Sequence, residues 1–180
     1  MEGSEVLRFL RTGFHFYFIG IAILTIGTAL AIQSSLGTSP FDAFLVGLYR
    51  TFGLSVGTWE IVVGFTMIVC NALAERKKPE YFALITSLVT GIGIDTWLFL
   101  LGDWLIPETW IGQTICLVLG IICTALGVAA YLHSNFAPIP LDRSMLVVTN
   151  LTGLNVSYSR ALISIVFVVI AYFFDGAIGI

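Results

Sequence analysis

Five long apolar runs, each bounded by polar or charged residues, set the pattern of this chain. They cover residues 13–33, 57–74, 81–101, 111–133 and 158–174. A helix needs roughly 20 apolar residues to cross the hydrocarbon layer of a membrane, and each run comes close to or exceeds that length. Two shorter units follow the first and fourth runs. Each begins with a broken, polar stretch, Gly37-Thr38-Ser39-Pro40 in one and Asn135 through Pro140 in the other. Each continues as a helical run of about a dozen residues, too short to cross a bilayer alone. In the first unit Ser39 can cap the helix, Pro40 suits its first turn, and Asp42 takes the third helical position.

The two short units are copies of one another. Residues 34–60 read SSLGTSPFDAFLVGLYRTFGLSVGTWE, and residues 134–160 read SNFAPIPLDRSMLVVTNLTGLNVSYSR. Without a gap, Ser34 falls on Ser134, Pro40 on Pro140, Asp42 on Asp142, and Gly53-Leu54 on Gly153-Leu154. Upstream, Gly20-Ile21, Gly27 and Ala29 fall on Gly120-Ile121, Gly127 and Ala129. Breaker, proline, aspartate, apolar run and Gly-Leu recur in one order at a constant offset of 100 residues, which indicates an internal structural duplication. Repeat 1 covers about residues 14–101 and repeat 2 about residues 112–180, within a single transmembrane domain. The run at 81–101 would correspond to residues 181–201, so the second copy is incomplete in these 180 residues.

Composition narrows the class. With 58% hydrophobic and 11% charged residues and a mean hydropathy of +1.00, the chain is excluded from the soluble domains, which carry about 25% charged residues. No cleavable secretory signal is expected, because the first run lacks a small-residue cleavage site and matches a later span. Cys70, Cys116 and Cys123 have no metal-ligand spacing and read as small buried hydrophobes.

Charge decides the topology. Arg8 and Arg11 mark the N-terminus as cytoplasmic, and Arg76-Lys77-Lys78 do the same for the loop after the second run. An even number of crossings must separate them, so residues 40–52 are expected to enter the membrane and return. The loop at 102–110 carries Asp103 and Glu108 and no basic residue, and falls outside. Three crossings per repeat then turn the second copy upside down, the plan of many secondary transporters. The expected fold is an all-α polytopic membrane protein with about five transmembrane helices and two short re-entrant helices, built from an inverted repeat. The expected location is a bacterial plasma membrane.

The candidate residues gather at the breaks. Asp42 and Asp142 stand at matched positions beside backbone that has lost its helical partners, a setting suited to a cation, a proton or a substrate amine. Their plainer role is helix capping, worth about 0.3–1 kcal/mol at an exposed end. An ionisable group inside a span costs more than that. Thr38, Ser39, Asn135 and Arg143 belong to the same broken stretches. Glu60 and Arg160 occupy equivalent places with opposite charge and are expected to face one another as an ion pair, against independent snorkelling at the interface. Asp95, in the glycine-rich Gly91-Ile92-Gly93-Ile94-Asp95, is a candidate for a pathway or counter-ion. His15 and His133 are isolated, so no metal site is expected, and no hydrolase, zinc-protease or phosphate-loop motif points to an enzyme or a cofactor.

Three stretches carry a resemblance: Leu36-Gly37-Thr38-Ser39-Pro40-Phe41-Asp42, Gly57-Thr58-Trp59, and Gly91 through Asp95. In these the chain resembles the bacterial integral membrane proteins grouped as YczE/YyaS/YitT, from residue 14 to about residue 178. The resemblance implies a polytopic membrane fold, and members of that group usually continue into a further helix after a glycine-rich turn like Gly176-Ala177-Ile178-Gly179.

The expected function is a small-molecule or ion transporter, or half of one, with its site between the two broken helices. Two other readings stand beside it: a substrate-binding membrane subunit of an energy-coupling transporter, and a non-transporting membrane partner of another complex. The expected partners are the lipid bilayer, a small substrate, and a second copy or partner subunit, with no nucleic acid.

Overall fold

The computed structural model describes residues 2–179 apart from 103, 135 and 137, with side chains described from residue 13 onward. Among the described residues there are seven helices and no strand. They are α1 (Glu2–Gln33), α2 (Pro40–Phe52), α3 (Val56–Glu75), α4 (Tyr81–Gly102), α5 (Trp110–His133), α6 (Pro140–Thr152) and α7 (Val156–Phe173). Five are long and apolar enough to cross a membrane: Gly13–Gln33, Val56–Glu75, Tyr81–Gly102, Trp110–His133 and Val156–Phe173. The short helices α2 and α6 fall where the sequence breaks the pattern. α1 also takes in the polar lead, which continues the helix back to Glu2.

Local chemistry explains where these helices stop. At the first break the Ser34 hydroxyl donates to the Ala31 carbonyl (2.6 Å) and accepts the Leu36 N–H (3.3 Å). Ser134 repeats the device, donating to Tyr131 O (2.5 Å) and accepting from Phe136 N (3.2 Å). These bonds satisfy polar groups that the interrupted helix would leave open. α2 and α6 both end at a glycine with positive φ, Gly53 (77°) and Gly153 (72°), a conformation that costs glycine little. The next helix restarts on a polar cap each time, Ser55 for α3 and Asn155 for α7.

The centre is the antiparallel pair α1 and α5. A Cβ placed on Gly20 would lie 2.4 Å from Tyr131 N, and one on Gly127 2.4 Å from Leu24 N. Further along, a Cβ on Gly27 would lie 2.5 Å from Thr124 N, and one on Gly120 2.8 Å from Ala31 N. Only glycine permits this backbone approach, which is how membrane helices gain packing energy without a hydrophobic drive between them. Positions 20 and 120, and 27 and 127, are equivalents in the duplicated sequence. Each contact therefore has its exchanged counterpart, as an isologous interface requires.

The short helices cross over to the other half. α2 lies along α7, with Phe41 and Phe44 on Phe167 (ring centroids 5.1 and 5.4 Å) and Arg50 donating to Asp175 O (2.8 Å). α6 lies along α3 in the equivalent way. A Cβ on Gly64 would sit 3.4 Å from Pro140, Asn71 donates to the Ser144 hydroxyl (3.0 Å), and Asn150 donates to Glu75 (3.3 Å). Arg50 with Asp175 and Asn150 with Glu75 again match at the hundred-residue offset. α4 is the odd element, held on α1 by Tyr17 donating to Thr86 (2.8 Å) and on α3 by Ser87 donating to Glu60 O (3.0 Å).

Candidate functional site

The first break opens a cavity. Its Ser39 hydroxyl both accepts the Asp42 N–H (3.2 Å) and donates to Asp42 Oδ2 (2.7 Å). That reciprocal cap fixes the carboxylate at the start of α2, where the helix dipole favours negative charge. The break backbone is also held by residues beyond α7, with Thr38 N–H donating to Ala177 O (3.1 Å). Thr38, Ser39 and Asp42 line a cavity of about 700 Å³ together with Thr124 of α5 and Arg160 of α7. Leu117, Ile121 and Val128 of α5 supply apolar wall. The volume lies within the range of small-molecule sites, roughly 300–1,000 Å³. Four of the residues singled out by sequence thus meet in one place: Thr38, Ser39, Asp42 and Arg160.

Their partners differ. Arg160 is exposed and makes no hydrogen bond or ion pair among the described residues. Glu60 is 2% exposed, and only its backbone carbonyl is engaged, by Ser87. Its carboxylate has no hydrogen-bond or ion-pair partner among the described residues. The expected ion pair between Glu60 and Arg160 is not formed. Glu60 is sealed in the packing of α3 on α4, whereas Arg160 faces the open cavity from α7.

The second break is closed. Asp142 Oδ2 accepts the hydroxyl of Tyr131, which is 1% exposed. α6 has no side-chain cap, since Ile139 stands where α2 has Ser39. Arg143 is drawn away from the centre. Its Nη2 pairs with Glu75 and its Nε with Glu80, each at 2.9 Å, beside a small cavity of about 40 Å³ at the turn between α3 and α4. Asp95 turns to the start of α3, where it accepts the Gly57 N–H (2.7 Å) and the Ser55 hydroxyl (2.5 Å). Those bonds occupy it as a cap. Asn135 lies outside the described residues.

Sequence reading missed Tyr131, Thr124 and the Glu75–Arg143–Glu80 cluster. Ser134 and Tyr131 both lie within a few residues of the break, so a search of the preceding turn for hydroxyls could have found Tyr131. Nothing local marks Thr124, whose exposure to the cavity depends on how α5 is rotated against α1. The arrangement as a whole presents a carboxylate and a guanidinium to one largely apolar space. It can hold and orient charge.

The chain belongs to the family of unknown function DUF6198, which matches residues 11–179. It is 44% identical over 165 residues to the uncharacterized protein YyaS of Bacillus subtilis (strain 168), covering 92% of this chain and 82% of that one. It is 34% identical over 180 residues to the uncharacterized membrane protein YczE of the same organism, covering 99% of this chain and 80% of that one. No solved structure matches it. Together with the five apolar helices, these relatives make it a multi-pass integral membrane protein.

Proposed function

We propose that this protein is a small secondary transporter, or half of one, whose substrate site is the cavity at the break between α1 and α2. The observation that carries this reading is the convergence of Thr38, Ser39 and Asp42 from one half with Arg160 from the other on that single cavity. Irregular backbone at membrane depth is tolerated where it lines a water-filled space, and broken helices at a repeat interface are where transporters bind substrate. The exchanged contacts, Gly20–Tyr131 with Gly120–Ala31 and Gly27–Thr124 with Gly127–Leu24, favour an inverted repeat. In that plan α2 and α6 are re-entrant helices entering from opposite faces, and rocking of one half against the other would expose the cavity to each side in turn. The basic residues Arg76, Lys77 and Lys78 support a reading in which the turn after α3, and with it the N-terminus, faces the cytoplasm across the plasma membrane. The site works by binding and release, without covalent chemistry.

The test needs no known substrate. A single cysteine replacing Thr38, in a background lacking Cys70, Cys116 and Cys123, is exposed to a membrane-impermeant maleimide in right-side-out and in inverted vesicles. A transporter that alternates is labelled from both faces, while cysteines at Lys77 and Glu108 are labelled from opposite single faces. Labelling of the Thr38 position from one face only, or from neither, overturns the proposal.

A further inference from the structure

The cavity holds two opposite charges, Asp42 and Arg160, and neither has an ion-pair partner among the described residues. Arg160 makes no ion pair or hydrogen bond among the described residues, and Asp142 accepts the Tyr131 hydroxyl on Oδ2. A guanidinium exposed in a cavity of a membrane-spanning bundle is costly unless something pairs with it. Asp42 is half-buried and bonded on one oxygen, by Ser39. A carboxylate can accept about four hydrogen bonds, so it retains capacity toward the cavity. Much of the remaining wall is apolar, from Leu117, Ile121 and Val128.

From this we infer that the cavity takes a zwitterion with an apolar body, its cationic end on Asp42 and its anionic end on Arg160. The inference rests on the transport reading of the same site and names its substrate class. The guanidinium fork suits a carboxylate or a phosphate, which it can grip with two parallel bonds. A purely anionic ligand would meet the carboxylate of Asp42. A purely cationic ligand, or a bare metal ion, would leave Arg160 unmatched. Specificity thus comes as much from what the site repels as from what it holds. The same chemistry is offered by a free amphiphilic amino acid and by the headgroup of a zwitterionic phospholipid.

Three probes of one shape separate the charges: L-tryptophan, tryptamine and indole-3-propionate. Affinities are measured on the purified full chain in detergent by ligand-dependent thermal shift. The wild type is expected to bind L-tryptophan at least about tenfold more tightly than either singly charged relative. Asp42→Asn should erase the preference over indole-3-propionate, and Arg160→Gln the preference over tryptamine. For the lipid source, the chain is released from nanodiscs of phosphatidylethanolamine or phosphatidylglycerol and weighed by native mass spectrometry. Retention of phosphatidylethanolamine by the wild type, lost in Arg160→Gln, assigns the headgroup instead of a free zwitterion. Equal binding of all three indoles without selective retention of phosphatidylethanolamine overturns the inference, as does failure to hold either L-tryptophan or phosphatidylethanolamine. Vesicle labelling at Thr38 reads access alone. Two-sided labelling without charge preference therefore sinks the zwitterion and spares the transporter, and charge preference with one-sided labelling does the reverse.

Discussion

The two breaks share one construction and end in different states. Both follow a glycine-faced helix, are turned by a serine that bonds back three residues, and start a thirteen-residue helix on proline with aspartate at its third position. At the first, Ser39 holds Asp42 at the edge of an open cavity. At the second, Tyr131 covers Asp142, and Arg143 locks α6 to Glu75 and Glu80. The duplication supplied two candidate sites, and the side chains around them kept one open and made the other a fastening. A repeated motif in a membrane protein therefore need not keep the same contacts. Whether an aspartate serves a ligand or the fold depends on which hydroxyl or cation reaches it first.

That comparison can be broken most sharply at the shared core. Gly20→Leu and Gly127→Leu each drive a side chain into backbone that a Cβ alone would approach to 2.4 Å. Each should cost more than about 4 kcal/mol, seen as loss of monodisperse protein on size exclusion. If one is tolerated and the other not, the two halves do not share the interface equally.

Next comes the fastening. Arg143→Gln strips the partner from Glu75 and Glu80 and should lower the melting temperature by more than about 3 °C. Arg50→Gln, in the first half, removes only a contact to Asp175, whose side chain is 93% exposed, and should shift it by far less. Equal losses would mean that α2 and α6 are held alike.

The open site should show the opposite asymmetry. Asp42→Asn is expected to weaken the proposed ligand's binding by at least about tenfold with the melting temperature nearly unchanged, because asparagine keeps most of the capping capacity. Asp142→Asn should leave binding closer to wild type, since the amide oxygen still accepts from Tyr131. Equal loss of affinity from both would return the second aspartate to the site.

The smallest effect sharpens the border of the site. Asp95→Asn weakens the cap on α3 and should cost about 1 kcal/mol in thermal unfolding while leaving ligand affinity unaltered. A change in affinity comparable to that of Asp42→Asn would place Asp95 on the ligand's path.

The five spans, the two short helices and the breaks before them were legible in the order of residues alone. Those features rest on local physics: the length of an apolar run, a proline that fits only a first turn, a glycine that alone takes positive φ cheaply, a serine or asparagine that caps. The hundred-residue offset was legible for the same reason, since Ser34, Pro40, Asp42 and Gly53 do the same local work as Ser134, Pro140, Asp142 and Gly153. Which charge meets which was decided only by the tertiary structure. Glu60 and Arg160 are equivalent in the sequence, yet one is sealed behind α4 and the other looks into a cavity, because α4 packs on α3 and the described residues place no equivalent helix on α7. Asp95 reads as an intramembrane carboxylate until α3 is laid beside α4 and brings the Ser55 hydroxyl and the Gly57 N–H to it. A helix's own period says which residues share a face. What that face meets depends on the rotation and crossing of neighbours far away in the chain, and no local pattern encodes that.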